Sequence, residues 1–257
     1  MMELTNKHII ITGGTTGIGF QLAQALLALG NEVLVVDFSA ENIEKALAAE
    51  PKLKALKADL SNPQERETLV KDLEKVFPDY DVLVNNAGIQ RWINLQNSDK
   101  KDWSFYHQEL AINFEAPLHL SLLTLDQLLN KKEAAIINVS SGLVINPGAW
   151  VPFYTAGKTG LHGYSQVLRL QLQDTNVKVF EVFPPAVNTN LGGSGEHTYG
   201  VSLDDFIPAV IKQIQSDQFN ITFGTSNEQF NATKEVNDQT TQNTWNMFKE
   251  NPTFLES

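Results

Sequence analysis

The sequence of 257 residues contains no cysteine, and this absence excludes three kinds of chemistry. Disulfide bonds, thiolate nucleophiles and cysteine-ligated metal sites all require that side chain. The histidines are also few, and none has the spacing typical of metal ligands: they are His8, His107, His119, His162 and His197. We therefore expect neither covalent cross-links nor a metal centre.

Positive charge is scarce as well. The chain has 19 Lys and Arg residues against 30 Asp and Glu residues, which gives a formal net charge of −11 and a pI near 4.9. A protein that binds a nucleic acid or an anionic membrane surface needs a basic patch. We therefore expect neither kind of partner.

Long hydrophobic runs are missing too. No apolar stretch approaches the ~20 residues that a membrane-spanning helix requires. The first residues, MMELTNKHIIITGG, lack the sequence of a basic region, an apolar region and a cleavage site that is typical of secretory signals. We expect a soluble protein in the cytoplasm.

What the sequence does contain is an alternation of strand-like and helix-like segments. Continuous apolar character, rich in β-branched residues, is typical of strands that are buried on both faces of a parallel sheet. The strand-like segments are 7–13, 32–38, 53–59, 81–87, 134–141, 177–183 and 220–224. The alternation predicts an α/β fold, in which 1–257 form a single Rossmann-type doubly wound domain with a central, mostly parallel seven-stranded sheet flanked by helices.

Helical spacing is clearest in three segments between the strands. These are 20–30, 61–77 and 154–175. We expect Ser61 to be the N-terminal cap of the second helix, because a serine hydroxyl can accept a hydrogen bond from a free amide of the first turn.

The stretch 190–206 interrupts this alternation. It contains the closely spaced glycines Gly192, Gly193 and Gly195, which predict a flexible loop after the sixth strand. Two interpretations stay open: an ordinary surface loop, or a lid over the substrate, since open α/β sheets bind ligands at the carboxyl ends of their strands.

The C-terminal segment, about 227–257, is rich in Asn and Gln. Its part 227–246 has two interpretations. It forms a weak helix that docks through Phe230, Val236 and Trp245, or it is partly disordered.

A glycine-rich loop follows the first strand in the sequence IIITGGTTGIGF. Gly13, Gly17 and Gly19 have the spacing G-x-x-x-G-x-G, at the point where a strand ends and a helix begins. Glycine lets the backbone turn tightly and approach a pyrophosphate at the helix N-terminus. The loop lacks the Gly-Lys-Ser/Thr ending of a nucleoside-triphosphate site, so it favours a dinucleotide.

The second strand ends with an acidic residue, Asp37, which lies 18 positions beyond Gly19. A carboxylate there accepts hydrogen bonds from the adenosine ribose and repels a 2′-phosphate. No Lys or Arg lies in 14–44 to bind that phosphate. The sequence therefore favours NAD(H) over NADP(H).

Seven motifs in a fixed order make the chain resemble a classical short-chain dehydrogenase/reductase from about residue 5 to residue 190. They are TGGTTGIG (12–19), ADLS (58–61), NNAG (85–88), Asn113 in LAINFEAP, INVSS (137–141), YTAGK (154–158) and PPAVNT (184–189). The double proline Pro184-Pro185 replaces the Pro-Gly usual in the family, and it resembles reductases of the DltE type.

The resemblance implies a set of cofactor contacts. They come from the glycine loop, the ends of the next three strands, the YTAGK helix and the segment after the sixth strand: Gly13, Thr15, Thr16, Gly17, Ile18, Gly19, Asp37, Phe38, Asp59, Leu60, Asn86, Ala87, Gly88, Tyr154, Lys158, Pro184, Val187 and Thr189. Val187 and Thr189 are implied to hold the nicotinamide carboxamide.

The resemblance also implies four catalytic residues. Tyr154 is the general acid/base at the substrate oxygen, and Lys158, four positions later on the same helix face, favours its phenolate and holds the nicotinamide ribose. Ser141 hydrogen bonds the substrate oxygen; the family spacing selects it over Ser140, which we expect to satisfy a local backbone group. Asn113, within a helix, anchors a water that links Lys158 to solvent.

Apolar side chains surround this predicted reaction centre. They are Trp92, Ile93, Trp150, Val151, Leu191 and Tyr199, the last two closing over the others. They predict a pocket for an apolar or aromatic ketone, aldehyde or secondary alcohol. His197, in the glycine-rich loop, is an additional candidate for contact with the substrate.

Family members commonly pair through the helices that here correspond to about 99–129 and 154–175, so the resemblance implies a homodimer or homotetramer. Two rival functions stay open. One is a non-catalytic NAD-binding sensor or scaffold; the other is an epimerase or dehydratase of the same fold.

Overall fold

A parallel sheet of seven strands forms the centre of the computed structural model, which describes residues 1–97, 100–193 and 199–257. The strand order is β3-β2-β1-β4-β5-β6-β7, and every neighbouring pair is parallel. The strands are β1 His8–Thr12, β2 Glu32–Asp37, β3 Lys54–Lys57, β4 Val82–Asn85, β5 Ala134–Val139, β6 Val177–Phe183 and β7 Asn220–Thr222. The predicted doubly wound sheet is confirmed, and over the described residues it is wholly rather than mostly parallel.

The continuous apolar runs form strands here because both faces of the sheet are covered. Alternate residues of β1 enter different clusters: Ile9 and Ile11 belong to the core on one face, and Ile10 belongs to the core on the other. All six residues of β5 are buried. Burial of both faces stabilises the sheet more than strands of alternating apolar and polar residues would, since such strands bury only one face.

Helices cover the two faces of the sheet, and the last three of them follow β7 at the C-terminal end of the chain. They are α1 Gly17–Ala28, α2 Ala40–Ala49, α3 Pro63–Val76, α4 Trp103–Leu110, α5 Ala116–Leu129, α6 Pro152–Gln171, α7 Leu203–Gln215, α8 Thr225–Asn231, α9 Lys234–Phe248 and α10 Pro252–Leu255. A single 3₁₀ turn, Gly142–Val144, follows β5.

A π-helical turn, Ala111–Glu115, joins α4 to α5 without a break in the helical rod. A π-turn widens the helix locally and is frequent at functional sites. The residue at its centre is Asn113, whose side chain is thereby placed inside the protein.

The predicted cap of α3 was wrong by one residue. The cap is Asn62, whose side-chain oxygen accepts a hydrogen bond from the Gln64 amide at 2.9 Å. Ser61 does not fill this role because its hydroxyl donates to the Asp59 carboxylate at 2.7 Å. Pro63 then occupies the first helical position, where its missing N–H costs no hydrogen bond.

Residues 194–198 of the predicted loop 190–206, with Gly195 and His197, lie outside the described residues. On either side of them, Val187 and Val201 form an isolated parallel bridge outside the seven strands. Ser202 then caps α7 through the Asp205 amide. The choice between a surface loop and a lid stays a prediction.

The C-terminal segment contains the helices α8, α9 and α10, in keeping with the interpretation of a docked helix. Phe230 packs edge-on against Phe183, and Trp245 packs edge-on against Phe254. Val236 was wrongly chosen as an anchor: it is 54% exposed, because it lies on the outer face of α9.

None of the helices in the described part of the chain is both long enough and apolar enough to span a membrane.

Two glycines of α6 provide a matched pair for a stability test. A Cβ atom on Gly163 would meet no atom within 4 Å, whereas one on Gly160 would lie 2.9–3.3 Å from the Phe114 ring. We expect Gly163→Ala to raise the free energy of unfolding by about 1 kcal/mol, since alanine is the better helix former. Gly160→Ala should lower it, because the half-buried Phe114 ring would have to move aside for the added methyl group.

Urea denaturation of the two variants and the parent protein measures both effects. An equal gain in stability from the two substitutions would contradict the packing of Phe114 against α6.

Candidate active site

The carboxyl ends of β1 and β4 meet at the centre of the sheet, where the strand order reverses direction. β1 has β2 on one side and β4 on the other, so the connections that follow β1 and β4 run to opposite sides. Open α/β sheets bind their ligands in the crevice outside this reversal. The predicted site residues gather around it.

The glycine loop lies directly against the chain that leaves β4. Gly13 and Gly17 have φ angles of 62° and 53°, a region that favours glycine. A Cβ on Gly13 would approach the Ala87 Cα to 2.8 Å, and one on Gly19 would approach the Gly13 oxygen to 2.3 Å. The loop is therefore closed by backbone contacts that larger residues would break.

Thr12, which the sequence analysis did not single out, fastens these two segments together. Its hydroxyl oxygen accepts hydrogen bonds from the Asn86 and Ala87 amides, both at 3.0 Å. The Asn86 side chain donates to the backbone oxygens of Thr12 and Gly13 at 2.9 and 3.1 Å. Asn86 thus holds the glycine loop. The sequence could have indicated the role of Thr12 through its position at the end of β1, directly before the glycine loop.

The end of β2 carries the acidic group predicted for the ribose. The Thr15 hydroxyl donates to one oxygen of the Asp37 carboxylate, and the Ser39 amide donates to the other at 2.9 Å. These bonds fix the carboxylate, and each oxygen keeps a further lone pair for a ligand. Phe38, the next residue, is 66% exposed.

The end of β3 adds Asp59 and Leu60. Asp59 accepts hydrogen bonds from the amide and hydroxyl of Ser61 at 2.9 and 2.7 Å, and Leu60 is buried. Both residues border the crevice from the side of β2, which pairs with β3.

The segment after β6 closes toward the glycine loop from the opposite side. A Cβ on Gly17 would lie 3.4 Å from the Thr189 methyl carbon, so Thr189 stands against this loop. Val187 is buried through its pairing with Val201, and the Pro184 oxygen accepts the Gly142 amide at 2.9 Å.

These residues fit a dinucleotide. Thr16 precedes α1, is exposed, and within the described part of the chain its side chain caps no amide of that helix. The free amides and the partial positive charge of the helix N-terminus suit a pyrophosphate. Ile18 turns away from this surface and packs against the core.

Tyr154, Lys158 and Ser141 come together at the end of β5. Tyr154 and Lys158 lie one turn apart on α6, with the Lys158 Nζ 5.8 Å from the centre of the Tyr154 ring. The Ser141 hydroxyl interacts with the Tyr154 phenol and accepts the Leu143 amide at 3.1 Å. Ser140 instead donates to the Val182 oxygen of the neighbouring strand β6 at 3.1 Å, so it bonds backbone as expected, but its acceptor is not a local one.

Asn113 reaches the same centre from the π-turn. Its side chain accepts the Ile89 amide at 3.0 Å and donates to the Ile89 oxygen at 2.8 Å. A Cβ on Gly88 would approach the Asn113 side-chain oxygen to 3.0 Å and the Lys158 Nζ to 3.5 Å. Glycine at position 88 therefore lets Asn113 and Lys158 approach each other.

Burial sets the ionisation of the Tyr-Lys pair. It raises the pKa of Tyr154 to about 12, while the Ser141 hydrogen bond lowers that pKa and the charge of Glu109 raises it. Burial lowers the pKa of Lys158 to about 8, and the Glu181 carboxylate opposes this by raising it. The Lys158 ammonium donates to the Val139 oxygen at 2.8 Å.

The Glu181 carboxylate belongs to a pair that the sequence analysis missed. Glu181 on β6 is fully buried, and both of its oxygens lie 3.0–3.1 Å from the His162 Nδ1. His162 follows Lys158 by four residues on α6, so Tyr154, Lys158 and His162 share one face of this helix. A glutamate inside an otherwise apolar strand, VKVFEVF, was the available signal.

Two of the predicted apolar residues, Trp92 and Trp150, form an aromatic cluster with Phe248. The rings of Trp150 and Phe248 stack with centroids 4.0 Å apart, and Trp92 meets Phe248 edge-on at 5.4 Å. The Ile93 amide donates to the Trp150 oxygen at 3.0 Å. Phe248 of α9 was missed because it lies about a hundred residues beyond Trp150 in the chain.

The remaining predicted substrate residues differ in exposure. Val151 is fully buried beside Tyr154, and Tyr199 is 70% exposed. Leu191 is partly buried, and its amide contacts the Thr189 hydroxyl oxygen at 3.4 Å. Among the described residues, no group of three His, Asp or Glu side chains is arranged to hold a metal ion.

Comparison with known proteins agrees with this arrangement. The family model described as short chain dehydrogenase matches residues 7–199. The chain is 38% identical over 226 residues to the uncharacterized oxidoreductase DltE of Bacillus subtilis, an alignment that covers 86% of this chain and 89% of that protein.

Two solved structures show the same fold. A short chain dehydrogenase from Burkholderia cenocepacia in complex with NADP superposes with a TM-score of 0.80 at 20% identity, covering 93% of this chain and 99% of that one. A short chain dehydrogenase/reductase from Burkholderia phymatum in complex with NAD gives a TM-score of 0.75 at 20% identity, covering 86% and 90%. The family match and the close relative together identify this chain as a member of the short-chain dehydrogenase/reductase family of oxidoreductases, which bind nicotinamide cofactors and act on small molecules.

Proposed function

We propose that the protein is an NAD(H)-dependent oxidoreductase that interconverts a carbonyl compound and a secondary alcohol. The observation that carries this proposal is the convergence of Ser141, Tyr154 and Lys158 at the carboxyl end of β5. Gly88 and Asn113 lie next to Lys158 there, at the same edge of the sheet from which the glycine loop starts. A buried phenol, a hydroxyl and an ammonium in this arrangement can bind a substrate oxygen and exchange a proton with it.

The preference for NAD(H) rests on Asp37. Its carboxylate is held by Thr15 and Ser39 at the end of β2, where the adenosine ribose of a dinucleotide would lie. A 2′-phosphate would meet this negative charge, and 14–44 contain no cation to offset it.

A bound nicotinamide supplies or accepts the hydride. The protein residues handle the substrate oxygen: Ser141 donates a hydrogen bond to it, and Tyr154 gives it a proton in carbonyl reduction or removes one in alcohol oxidation. The Lys158 charge favours the phenolate and would hold the nicotinamide ribose. Asn113 fixes Ile89 and would anchor a water beside Lys158.

The substrate in this proposal is an apolar or aromatic ketone, aldehyde or secondary alcohol. Support comes from the cluster of Trp92, Trp150 and Phe248, which is continuous with Val151 at the start of the helix that carries Tyr154. In this proposal Leu191 and Tyr199, on the loop after β6, close over the substrate. Aromatic walls of this kind favour ligands with large apolar surfaces.

A homodimer or homotetramer is part of the same proposal. Leu122 of α5 and Val167 and Leu170 of α6 are 64%, 53% and 67% exposed. Pairing of these two helices between copies would remove that apolar surface from water. We also place the protein in the cytoplasm, which supplies dissolved NAD(H).

Replacement of the phenol tests the proton transfer. We expect Tyr154→Phe to lower the rate of NADH consumption across a panel of aliphatic and aromatic ketones and aldehydes by about 10²-fold or more, because the general acid is lost. The NADH dissociation constant, from fluorescence titration, should stay within a few-fold. Turnover that is unchanged in Tyr154→Phe would contradict the mechanism; NADH binding without turnover of any substrate would favour a sensor.

Removal of the charge at position 37 tests the cofactor preference. We expect Asp37→Asn to lower the ratio of kcat/KM for NADH to kcat/KM for NADPH by about tenfold or more, since repulsion of the 2′-phosphate disappears. Glu41→Gln removes an exposed charge of the next helix and serves as the control. A wild-type preference for NADPH would overturn the assignment.

Removal of the Glu181 carboxylate tests the ionisation of Lys158. The pKa of Lys158, already lowered to about 8 by burial, should fall further in Glu181→Gln because an anion that favours the ammonium is lost. Lys158 then loses its charge at lower pH, so the decline of kcat/KM on the alkaline side should begin at lower pH than in the wild type. Coincident pH profiles of kcat/KM would show that Glu181 does not act on Lys158.

A further inference from the structure

A segment without regular structure, 86–94, leads from β4 to the aromatic cluster of the candidate active site. The Ile89 amide donates to the Asn113 side-chain oxygen, and the Ile93 amide donates to the Trp150 backbone oxygen, both at 3.0 Å. The π-turn therefore holds the segment at one point, and the chain that precedes α6 holds it four residues later.

A third hydrogen bond lies midway between these two. The Arg91 amide donates to the Glu109 Oε1 at 3.0 Å, so alternate amides of the segment are bonded. Among the described residues, neither the Gln90 amide nor the Trp92 amide has a hydrogen-bond partner. This alternation is that of an extended chain, in which neighbouring amides point in opposite directions.

The acceptor of the middle bond is a buried carboxyl group that the sequence analysis did not single out. Glu109 lies on α4, one helical turn before Asn113, and its relative exposure is 0%. Its other oxygen, Oε2, has no hydrogen-bond partner among the described residues. A buried carboxyl group with an unbonded oxygen is energetically costly, so its presence at this position needs an explanation.

The side chain of Arg91 is attached to the same helix. Its guanidinium donates to the Phe105 oxygen at 2.6 Å and to the Gln108 side chain, and it lies over the Phe105 ring. Both the backbone and the side chain of Arg91 are thus bound to α4. The middle of the segment is therefore fixed to the helix that carries Glu109.

The residue that follows Arg91 belongs to the aromatic cluster. The Trp92 ring meets Phe248 edge-on with centroids 5.4 Å apart, and Phe248 stacks on Trp150. Because the amides of its two neighbours, Arg91 and Ile93, are both bonded, the backbone of Trp92 is held on either side. The carboxyl group on α4 therefore acts on the cluster through the backbone.

We propose that Glu109 is a positioning residue for the substrate side of the site: by accepting the Arg91 amide it holds Trp92 in the aromatic cluster before a substrate binds. This wall of the pocket is then ordered during folding rather than at binding, which strengthens the binding of an apolar or aromatic carbonyl compound. The role requires the acceptor oxygen and not the negative charge. It rests on the proposed function, in which the cluster lines the substrate side.

Two substitutions of Glu109 separate the acceptor from the charge. Glu109→Leu removes both, whereas Glu109→Gln keeps an acceptor oxygen of the same reach. We expect Glu109→Leu to raise KM for aromatic ketones and aldehydes by about tenfold, with kcat and the NADH dissociation constant within about threefold of the wild type, because only the substrate wall loses its order. Glu109→Gln should keep the wild-type KM, as should the control Asp126→Asn, which removes an exposed charge from α5.

Amide hydrogen exchange, followed by NMR in the absence of substrate, tests the hydrogen bond itself. In the wild type the Arg91 amide should exchange more slowly than those of Gln90 and Trp92, because a bonded amide exchanges only when its bond opens. Its exchange should become faster in Glu109→Leu and stay slow in Glu109→Gln.

Equal KM values for Glu109→Leu and the wild type would overturn the proposal. A KM that rises as far in Glu109→Gln as in Glu109→Leu would also overturn it, since the charge and not the acceptor would then be required. If Glu109→Leu does not fold, the wild type decides: an Arg91 amide that exchanges as fast as those of Gln90 and Trp92 would contradict the role of Glu109.

The exchange measurement needs no substrate, so it is independent of the proposed function. Slow exchange at Arg91 without turnover of any carbonyl compound would contradict the proposed function and leave the anchoring of Trp92 intact. Turnover with an unchanged KM in Glu109→Leu would contradict the role of Glu109 alone.

Discussion

The contact between the glycine loop and the end of β4 is the constraint on which the site depends. Backbone lies against backbone there, with no space for a Cβ on Gly13 or Gly19. Asn86 connects the two segments by donating from its backbone amide to the Thr12 hydroxyl oxygen and from its side chain to the Thr12 backbone oxygen. The dinucleotide surface and the start of the segment that leads toward Asn113 are therefore fixed relative to each other by one junction.

Charge is distributed around the candidate reaction centre in an asymmetric way. Glu181 favours the Lys158 ammonium, whereas Glu109 disfavours the Tyr154 phenolate. The two buried carboxyl groups therefore act on different members of the Tyr-Lys pair. Since all of these groups are shielded from solvent, each effect is stronger than it would be at the surface.

The strands could be predicted well because a strand that is buried on both faces is a continuous apolar run. Such a run can be recognised from neighbouring residues alone. The motifs likewise predicted which residues gather at the crevice. The cap of α3 was predicted one residue too early, because serine and asparagine are both common caps and Ser61 directly precedes Asn62. In the structure the Ser61 hydroxyl bonds Asp59, and Asn62 is the cap. Glu109, Glu181 and Phe248 were missed because their significance comes from partners distant in the chain, and no local pattern reveals burial of a carboxyl group.

The C-terminal helices contribute side chains to the aromatic cluster that we propose for the substrate side of the site. Phe248 stacks on Trp150, and the oxygen of Ser257 accepts the Asn94 amide at 3.3 Å. The last thirty residues thus pack on the aromatic cluster of Trp92 and Trp150, whereas the candidate dinucleotide contacts come from the glycine loop, the strand ends, α6 and the segment after β6. A change of side chain at position 248 therefore alters the aromatic cluster directly, while the glycine loop keeps its own backbone contacts with the chain after β4.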